Sequence, residues 1–493
     1  MARAVEEHDP GTPEAGIPAA TEPPAPAAPA APAKGDLVVW LLVASAFVMI
    51  LNETIMSVAL PALVTALDVT VGTAQWLTSG FLLTMGVVIP TTGFLLQRFR
   101  PRQVYLASMT LFSAGTLICA LSPGFGMLLV GRIVQAVGTA VMVPLLMTSV
   151  IRLIPAERRG AMMGTITVVI AVAPAIGPTI SGVILTALSW RWMFIIVLPI
   201  GLLALAAGAT WLRIDSETNR VPLDLASVLL SALGFGGLVF GLSGVGESAR
   251  GGAPLPPWLP TLVGLVALAV FVARQLRLQR DDRALLDLRP LAHRPFTVSL
   301  VLIVLGMISL FGVIILLPLY MQDVLRVDPF VTGLSVLPGG LAMGLLGPVV
   351  GRLYDKVGVR PLTLPGAVVL CAALWAFTTL GPSSPLLLFI AMHVVLVIGL
   401  SFMFTPLMTY ALGLLPPGQD SHGSAIVTTL QQVAGAAGTA LFITVMSLAS
   451  AAPATGRTDA AGAHAAFLCA AIIGTIVVPV ALLVGQKKAA PRA

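Results

Sequence analysis

Glu53 is the only one of the chain's 21 acidic residues that lies deep within a long apolar run. An ionisable group inside a membrane is costly and marks an ion path. Lifted out of water, a carboxyl holds its proton more readily, which a proton carrier requires. The competing reading is a neutral carboxyl hydrogen-bonded for packing alone. Arg132 is the only cation inside such a run. Glu53 lies 8 residues before Pro61 and Arg132 lies 7 after Phe125. At ~1.5 Å per residue both sit roughly 11 Å from the outer end of their spans. A cation at matched depth would favour the ionised carboxylate and oppose desolvation. Arg132 could instead cap backbone carbonyls or hold a lipid headgroup. Asp36, Asp224 and Asp323 fall near span ends, within reach of water.

His393 is the one histidine deep in a run. It is suited to a proton switch, but equally to an ordinary hydrogen bond between helices. Gln431 and Gln432 could line a cavity or bond across helices. Met49, Met56, Met85 and Met142 add soft, adaptable surface, or are plain filler. Asn52, Met56, Gln135, His393, Gln431 and Gln432 are the candidate cavity residues. No nucleophile with a base, no paired carboxylates and no His/Cys ligand set is present. An enzyme is therefore not expected, nor a metal or cofactor. The three cysteines, Cys119, Cys371 and Cys469, lie inside apolar runs and read as small core residues.

These groups need a scaffold that sits in lipid. Of 493 residues, 57% are hydrophobic and only 10% are charged; a soluble chain carries charge on about a quarter. The net charge of +6 is spread over short turns between apolar runs, which argues against a nucleic-acid patch. Residues 1–35, rich in Pro and Ala, are expected to be a disordered tail and lack the features of a signal peptide. A span needs roughly 20 apolar residues. Candidates fall at 37–61, 75–97, 103–122, 125–151, 161–187, 190–212, 222–246, 258–278, 296–321, 331–351, 362–380, 385–414, 423–450 and 463–485. That is fourteen, of which the Gly-rich 222–246 and 331–351 are the weakest.

With the N-terminus in the cytoplasm, the outer loops hold only Arg191, Arg250, Arg326 and Arg457. Arg132 lies within a span, and the other 22 of 27 Lys and Arg face inward. An odd span count would destroy that bias. There is also an internal repeat: Gly93-Phe-Leu-Leu-Gln-Arg-Phe-Arg-Pro-Arg102 against Gly351-Arg-Leu-Tyr-Asp-Lys-Val-Gly-Val-Arg360. Each turn follows the second span of a six-span block. The chain thus divides into a tail (1–35), a six-helix bundle (37–212), a two-helix insert (222–278), a second six-helix bundle (296–485) and a short tail (486–493). Repeats of this kind build many secondary transporters, with substrate near the midplane. The insert carries no deep charge and is expected beside the bundles.

Both repeated turns resemble the signature loop of the major facilitator superfamily. Leu129-Val-Gly-Arg-Ile-Val-Gln-Ala-Val-Gly138 resembles its fourth-helix motif, and Ala173-Pro-Ala-Ile-Gly-Pro-Thr-Ile-Ser-Gly182 its antiporter motif. Leu51-Asn-Glu-Thr-Ile-Met-Ser-Val-Ala-Leu-Pro61 and Trp190-Arg-Trp-Met-Phe194 resemble the fourteen-span drug:proton antiporter branch, the EmrB/QacA type. The resemblance implies an all-α integral membrane fold of two six-helix bundles plus the insert. It implies proton coupling at Glu53 and Arg132. It implies conformational gating by Gly93, Arg98, Arg102, Pro174, Gly177, Pro178, Gly182, Gly351, Asp355, Lys356 and Arg360. Pro174 and Pro178 also free two backbone carbonyls, so a kinked helix is expected, and Gly177, Ser181 and Gly182 let another helix approach closely. The chain departs from the family's pattern twice: Asn52 stands where the family usually has Asp, and so does Gln97.

The resulting expectation is a monomeric, proton-coupled exporter of amphipathic small molecules such as drugs, antibiotics or an endogenous metabolite. Its partners are substrate, protons and membrane lipid, with no nucleic acid. It would sit in the cytoplasmic membrane with both termini inside. The rivals are a nutrient importer, which the antiporter motif disfavours, a lipid-handling membrane enzyme, and a receptor or scaffold, for which the loops are short.

Overall fold

Apolar runs in lipid must satisfy their backbone polar groups internally, so they become helices. The computed structural model describes residues 34–69, 71–212, 224–248, 255–327, 329–416, 418–449 and 460–485. Most of the 1–35 tail, the 486–493 tail, Arg250 and Arg457 lie outside the described residues.

The first half holds α1 (Lys34–Leu67), α2 (Val71–Val88), α3 (Thr92–Arg98), α4 (Pro101–Leu121), α5 (Phe125–Leu153), α6 (Ala156–Ala187) and α7 (Trp192–Trp211). A single turn of 3-10 helix around Pro90 joins α2 to α3, so the two make one span. Next come α8 (Leu225–Ser248) and α9 (Trp258–Leu278). The second half holds α10 (Arg294–Leu319), α11 (Pro329–Val357), α12 (Arg360–Phe377), α13 (Leu386–Gly413), α14 (Asp420–Ala449) and α15 (Ala460–Leu482). Among the described residues there is no strand, and 13 helical stretches are long and apolar enough to cross a membrane. α6, at 32 residues, is a further long helix outside that set.

The two halves pack by one plan. α4 lies on α5 and α7, as α12 lies on α13 and α15. α1 lies on α5, α6 and α7, as α10 lies on α13, α14 and α15. The halves meet where α11 runs along α6 and where α3 and α5 meet α14. α8 touches α2 in one half and α14 in the other, while α9 packs on α8.

Burial follows this plan. The α5 span is 78% buried and the α9 span only 22%. Leu262, Val263, Leu265, Val266 and Val270 of α9 are exposed, which suits a surface solvated by lipid tails. The glycines that weaken the sequence signal in α8 and α11 are contact surfaces. A Cβ on Gly237 would stand 2.9 Å from Gly264 Cα of α9, and Gly347 of α11 lies against Gly164 of α6. Small residues here let backbones touch, the main source of packing energy where lipid supplies no hydrophobic drive.

Candidate proton site and gating seam

Arg132 lies about two turns into the most buried span, α5, and is 0% exposed. Its Nη1 donates to Asn52 Oδ1 on α1 at 3.2 Å and to Gln135 Oε1 one turn along α5 at 3.1 Å. Its Nε points at the Leu77 carbonyl of α2 at 3.4 Å, and the guanidinium lies 4.1 Å from the centroid of the Phe81 ring. A cation over an aromatic face is favourable, more so when desolvated. Nη2 has no hydrogen-bond partner. Gln135 passes the network on, donating Nε2 to Thr116 Oγ1 of α4 at 2.7 Å. Gly115 and Gly131 bring α4 and α5 close enough for that bond: a Cβ on Gly131 would stand 2.5 Å from Cys119 Sγ.

Glu53 is the neighbour of this network. It is half-buried, and no ion pair joins it to Arg132 within 4.0 Å. Their matched depth therefore does not put them in contact. One residue turns a helix by about 100°, so Asn52 takes the guanidinium and Glu53 stands to the side. The two charges remain within electrostatic reach. On the next position, Thr54 donates to the carbonyl of Leu51 at 3.0 Å and packs against Gly177 of α6. Gly177 thus does bring α6 onto α1, beside Glu53. The side chains of Pro174, Pro178 and Gly182 lie outside the described residues.

The other candidates are scattered. Met56 is 1% exposed and packs with Ile55, Cys119 and Phe194 inside the first half. Met49 and Met142 are likewise in the core. His393 of α13 is 4% exposed, lies against Gly339 of α11, and its Nδ1 has no partner. Gln431 and Gln432 are half-buried on α14. Trp76 stacks on Phe240 of α8 with centroids 5.6 Å apart, so it joins the insert to the first half.

The repeated turns sit at the end of the bundle where α1 begins and α15 finishes, the termini end. Asp355 reaches from α11 to the start of α6: Oδ1 accepts the Gly160 N–H at 2.9 Å and Oδ2 the Ala161 N–H at 3.0 Å. These N–H groups lie in the second turn of α6, close to its N-terminus, where a negative charge is favoured. Gly351 packs directly on the Gly160 carbonyl. In the other turn Gln97 donates Nε2 to the Gly418 carbonyl at 2.6 Å, and Gly93 packs on His422. Arg102 donates to the Ala209 carbonyl within its own half, and Arg98 lies over the Phe94 and Phe99 rings. Lys356 is exposed, and Arg360 opens α12.

Three residue pairs across this seam were not singled out from sequence. Arg152 of α5 grips Asp420 of α14 through Nε at 2.8 Å and Nη2 at 3.2 Å. Thr148 pairs with Ser424 at 3.0 Å, and Thr167 with Thr405 at 2.9 Å. A signal for Asp420 exists: Asp420-Ser-His-Gly423 repeats the spacing of Glu157-Arg-Arg-Gly160 at the start of α6.

The Major Facilitator Superfamily profile matches residues 42–439. The lincomycin resistance protein LmrB of Listeria monocytogenes is 42% identical over 403 residues, covering 82% of this chain and 84% of that protein. A multidrug resistance protein B homolog of Mycobacterium tuberculosis is 30% identical, over 80% of this chain and 73% of its own. Among solved structures, the human organic anion transporter MFSD10 (TETRAN) superposes with a TM-score of 0.63 at 16% identity, covering 91% of this chain and 99% of its own. The proton:xylose symporter XylE gives 0.60 at 14% identity, over 90% and 94%.

Proposed function

Because the chain belongs to the major facilitator superfamily, and so is a multi-pass membrane transporter, we propose that it is a proton-coupled exporter of amphipathic small molecules. Lincosamide-like antibiotics are the first substrates to try, given the name of its 42%-identical relative. The observation that carries the reading is the buried chain Asn52–Arg132–Gln135–Thr116 with Glu53 at its side.

The mechanism is exchange at Glu53. Deprotonated, Glu53 admits substrate from the cytoplasm or inner leaflet. A proton arriving from outside neutralises it, weakens substrate binding and allows return. Asn52 matters because it is neutral. An Asp there would cancel the charge of Arg132 on the spot; Asn leaves that charge to act on Glu53. Each charge crossing 100 mV supplies roughly 2.3 kcal/mol, enough to hold a gradient of about 40-fold at ~1.4 kcal/mol per decade.

The same reading makes α6 the fourteenth crossing, since 32 residues at ~1.5 Å each exceed a ~30 Å hydrocarbon core. It places residues 37–212 and 296–485 in two rocking bundles and 222–278 in an insert, as in the EmrB/QacA branch. The termini end is then cytoplasmic, in the inner membrane, and the seam there is a closed cytoplasmic gate on a monomer.

The test is transport into inverted vesicles. A fluorescent cation and lincomycin should each accumulate when a proton gradient is applied. Glu53→Gln keeps shape but cannot ionise, and should abolish gradient-driven accumulation at normal expression. Active transport by that variant at the wild-type rate would remove Glu53 from the mechanism.

A further inference from the structure

The segment that leaves the insert, residues 279–293, is folded against the protein rather than strung across it. Gln275, fully buried near the end of α9, accepts the Leu285 and Leu286 N–H groups at 2.9 and 3.3 Å and donates to Ser227 of α8 at 2.7 Å. Leu285, Leu286 and Pro290 are buried. Arg289 pairs with Asp282 at 2.7 Å and Asp287 at 3.7 Å, and also donates to the Gln279 carbonyl. This tightened loop presents one backbone donor outward: the Asp287 N–H, which meets His422 Nδ1 of α14 at 3.3 Å.

His422 is 2% exposed and stands on the seam between the halves. Gly93 of α3 packs on its ring, in a space too small for a Cβ. The charged groups around it are Asp420 on its own helix, Asp287 and Arg289 on the loop, and Arg152 on α5. Each carboxylate already has a guanidinium partner, Asp420 with Arg152 and Asp287 with Arg289.

We propose that residues 279–293 are a latch on the termini-end seam, and that His422 is its proton-responsive contact. While Nδ1 accepts the Asp287 N–H it has no room for a proton. Protonation would set two donors head to head and release the loop from α14. By linkage, a seam that closes only with Nδ1 bare is favoured above the ordinary imidazole range near ~6.5 and loosened below it. In the repeat-related turn the position of His422 is held by Arg159, a permanent cation turned back to the Ile154 carbonyl of its own chain segment. Only the second turn carries a group that can switch. The latch requires that the two halves move apart at this end, not that protons drive transport.

Amide hydrogen exchange on the full chain in lipid nanodiscs tests this without a transport assay. The reporter is the start of α14, residues 418–424. His422→Phe keeps a ring but loses the acceptor, and should raise exchange there about fivefold, the net worth of one hydrogen bond. Gln275→Leu releases the loop from its far end and should raise it likewise, although it touches neither α3 nor α14. His422→Asn keeps an acceptor oxygen near the place of Nδ1 but takes up no proton. The wild type should therefore exchange faster than His422→Asn at pH 5.5 and equally at pH 7.5. If the start of α14 exchanges at the wild-type rate in Gln275→Leu while residues 285–288 exchange faster, the loop is no latch. If the wild type and His422→Asn do not diverge at pH 5.5, His422 is no switch. Should His422→Phe fail to fold, these two comparisons decide alone.

Discussion

The two repeated turns do the same job with different chemistry. At 351–360, a carboxylate meets a helix near its N-terminus: Asp355 takes two N–H groups in the second turn of α6. At 93–102, a neutral amide donates to a single carbonyl, Gln97 to Gly418. Charge-assisted bonds are roughly twice as strong as neutral ones, so the first seam is the tighter. The weaker seam has other support: Arg152 with Asp420, and the loop 279–293 against His422. The copy of the repeat without an acid is closed as well. That side is held by an ion pair and by a loop leaving the insert.

The largest expected effect is Gly351→Ala. The added methyl would meet the Gly160 carbonyl, which is backbone and cannot swing away. Overpacking of that kind costs about 3 kcal/mol, so the sealed form should be lost. A cysteine at Ser424, with the three native cysteines replaced, should become open to an impermeant thiol reagent from the termini side. Unchanged protection would mean the contact is not obligatory. Asp355→Asn comes next. It keeps one acceptor and leaves a helix-end N–H without its charge partner, worth about 1.5–3 kcal/mol. Labelling of the same cysteine should rise by one to two orders of magnitude at ~1.4 kcal/mol per decade.

Gln97→Asp sharpens the comparison, because it restores the sequence of the repeat. It should weaken the seam by about 1 kcal/mol, since Gly418 offers a carbonyl and not a donor. Slower labelling in this variant would show that an acid can find the N–H groups of α14 after all. The smallest effect is expected away from both turns, at Asp224→Asn. The Arg274 guanidinium beside Asp224 holds its carboxyl at about 2, below the ordinary 3.8. A depressed carboxyl stabilises the fold above its ordinary range, and that contribution fades as pH falls through about 2. Asp224→Asn should loosen α8 slightly at pH 7, because partly exposed pairs are worth little. That difference should shrink as the pH is lowered toward 2, read as exchange at residues 225–230.

Much of this was legible in the chain. Long apolar runs gave the helices, because lipid leaves the backbone no other solution. The Gly-to-Arg turns marked the seam, because a close approach needs glycine and the spacing repeats. Depth paired Arg132 with Glu53, but its hydrogen bond goes to Asn52, one residue earlier, and Glu53 is reached through space. Depth along two helices can be counted from sequence, but azimuth cannot, and 100° separates Asn52 from Glu53. The hydroxyl pairs across the seam were invisible for a related reason. Thr148, Ser424, Thr167 and Thr405 are ordinary residues within apolar helices, and only the meeting of the halves gives each a partner. The role of His422 depends on a loop 135 residues earlier, which no local pattern announces.

Those hydroxyl pairs bear on how fast such a protein can cycle. Each contributes about 1 kcal/mol net, because water offers nearly the same bond in exchange. A seam of several buried ion pairs would be a deep well, and every opening would have to climb out of it. Here one ion pair, two hydroxyl pairs, touching glycines and a few bonds to backbone groups hold the halves. A difference of about 5.5 kcal/mol is enough to swing a population from 1:99 to 99:1. Weak, replaceable bonds keep the two states within the range that a modest driving force can invert, so throughput is set by how little holds the seam shut.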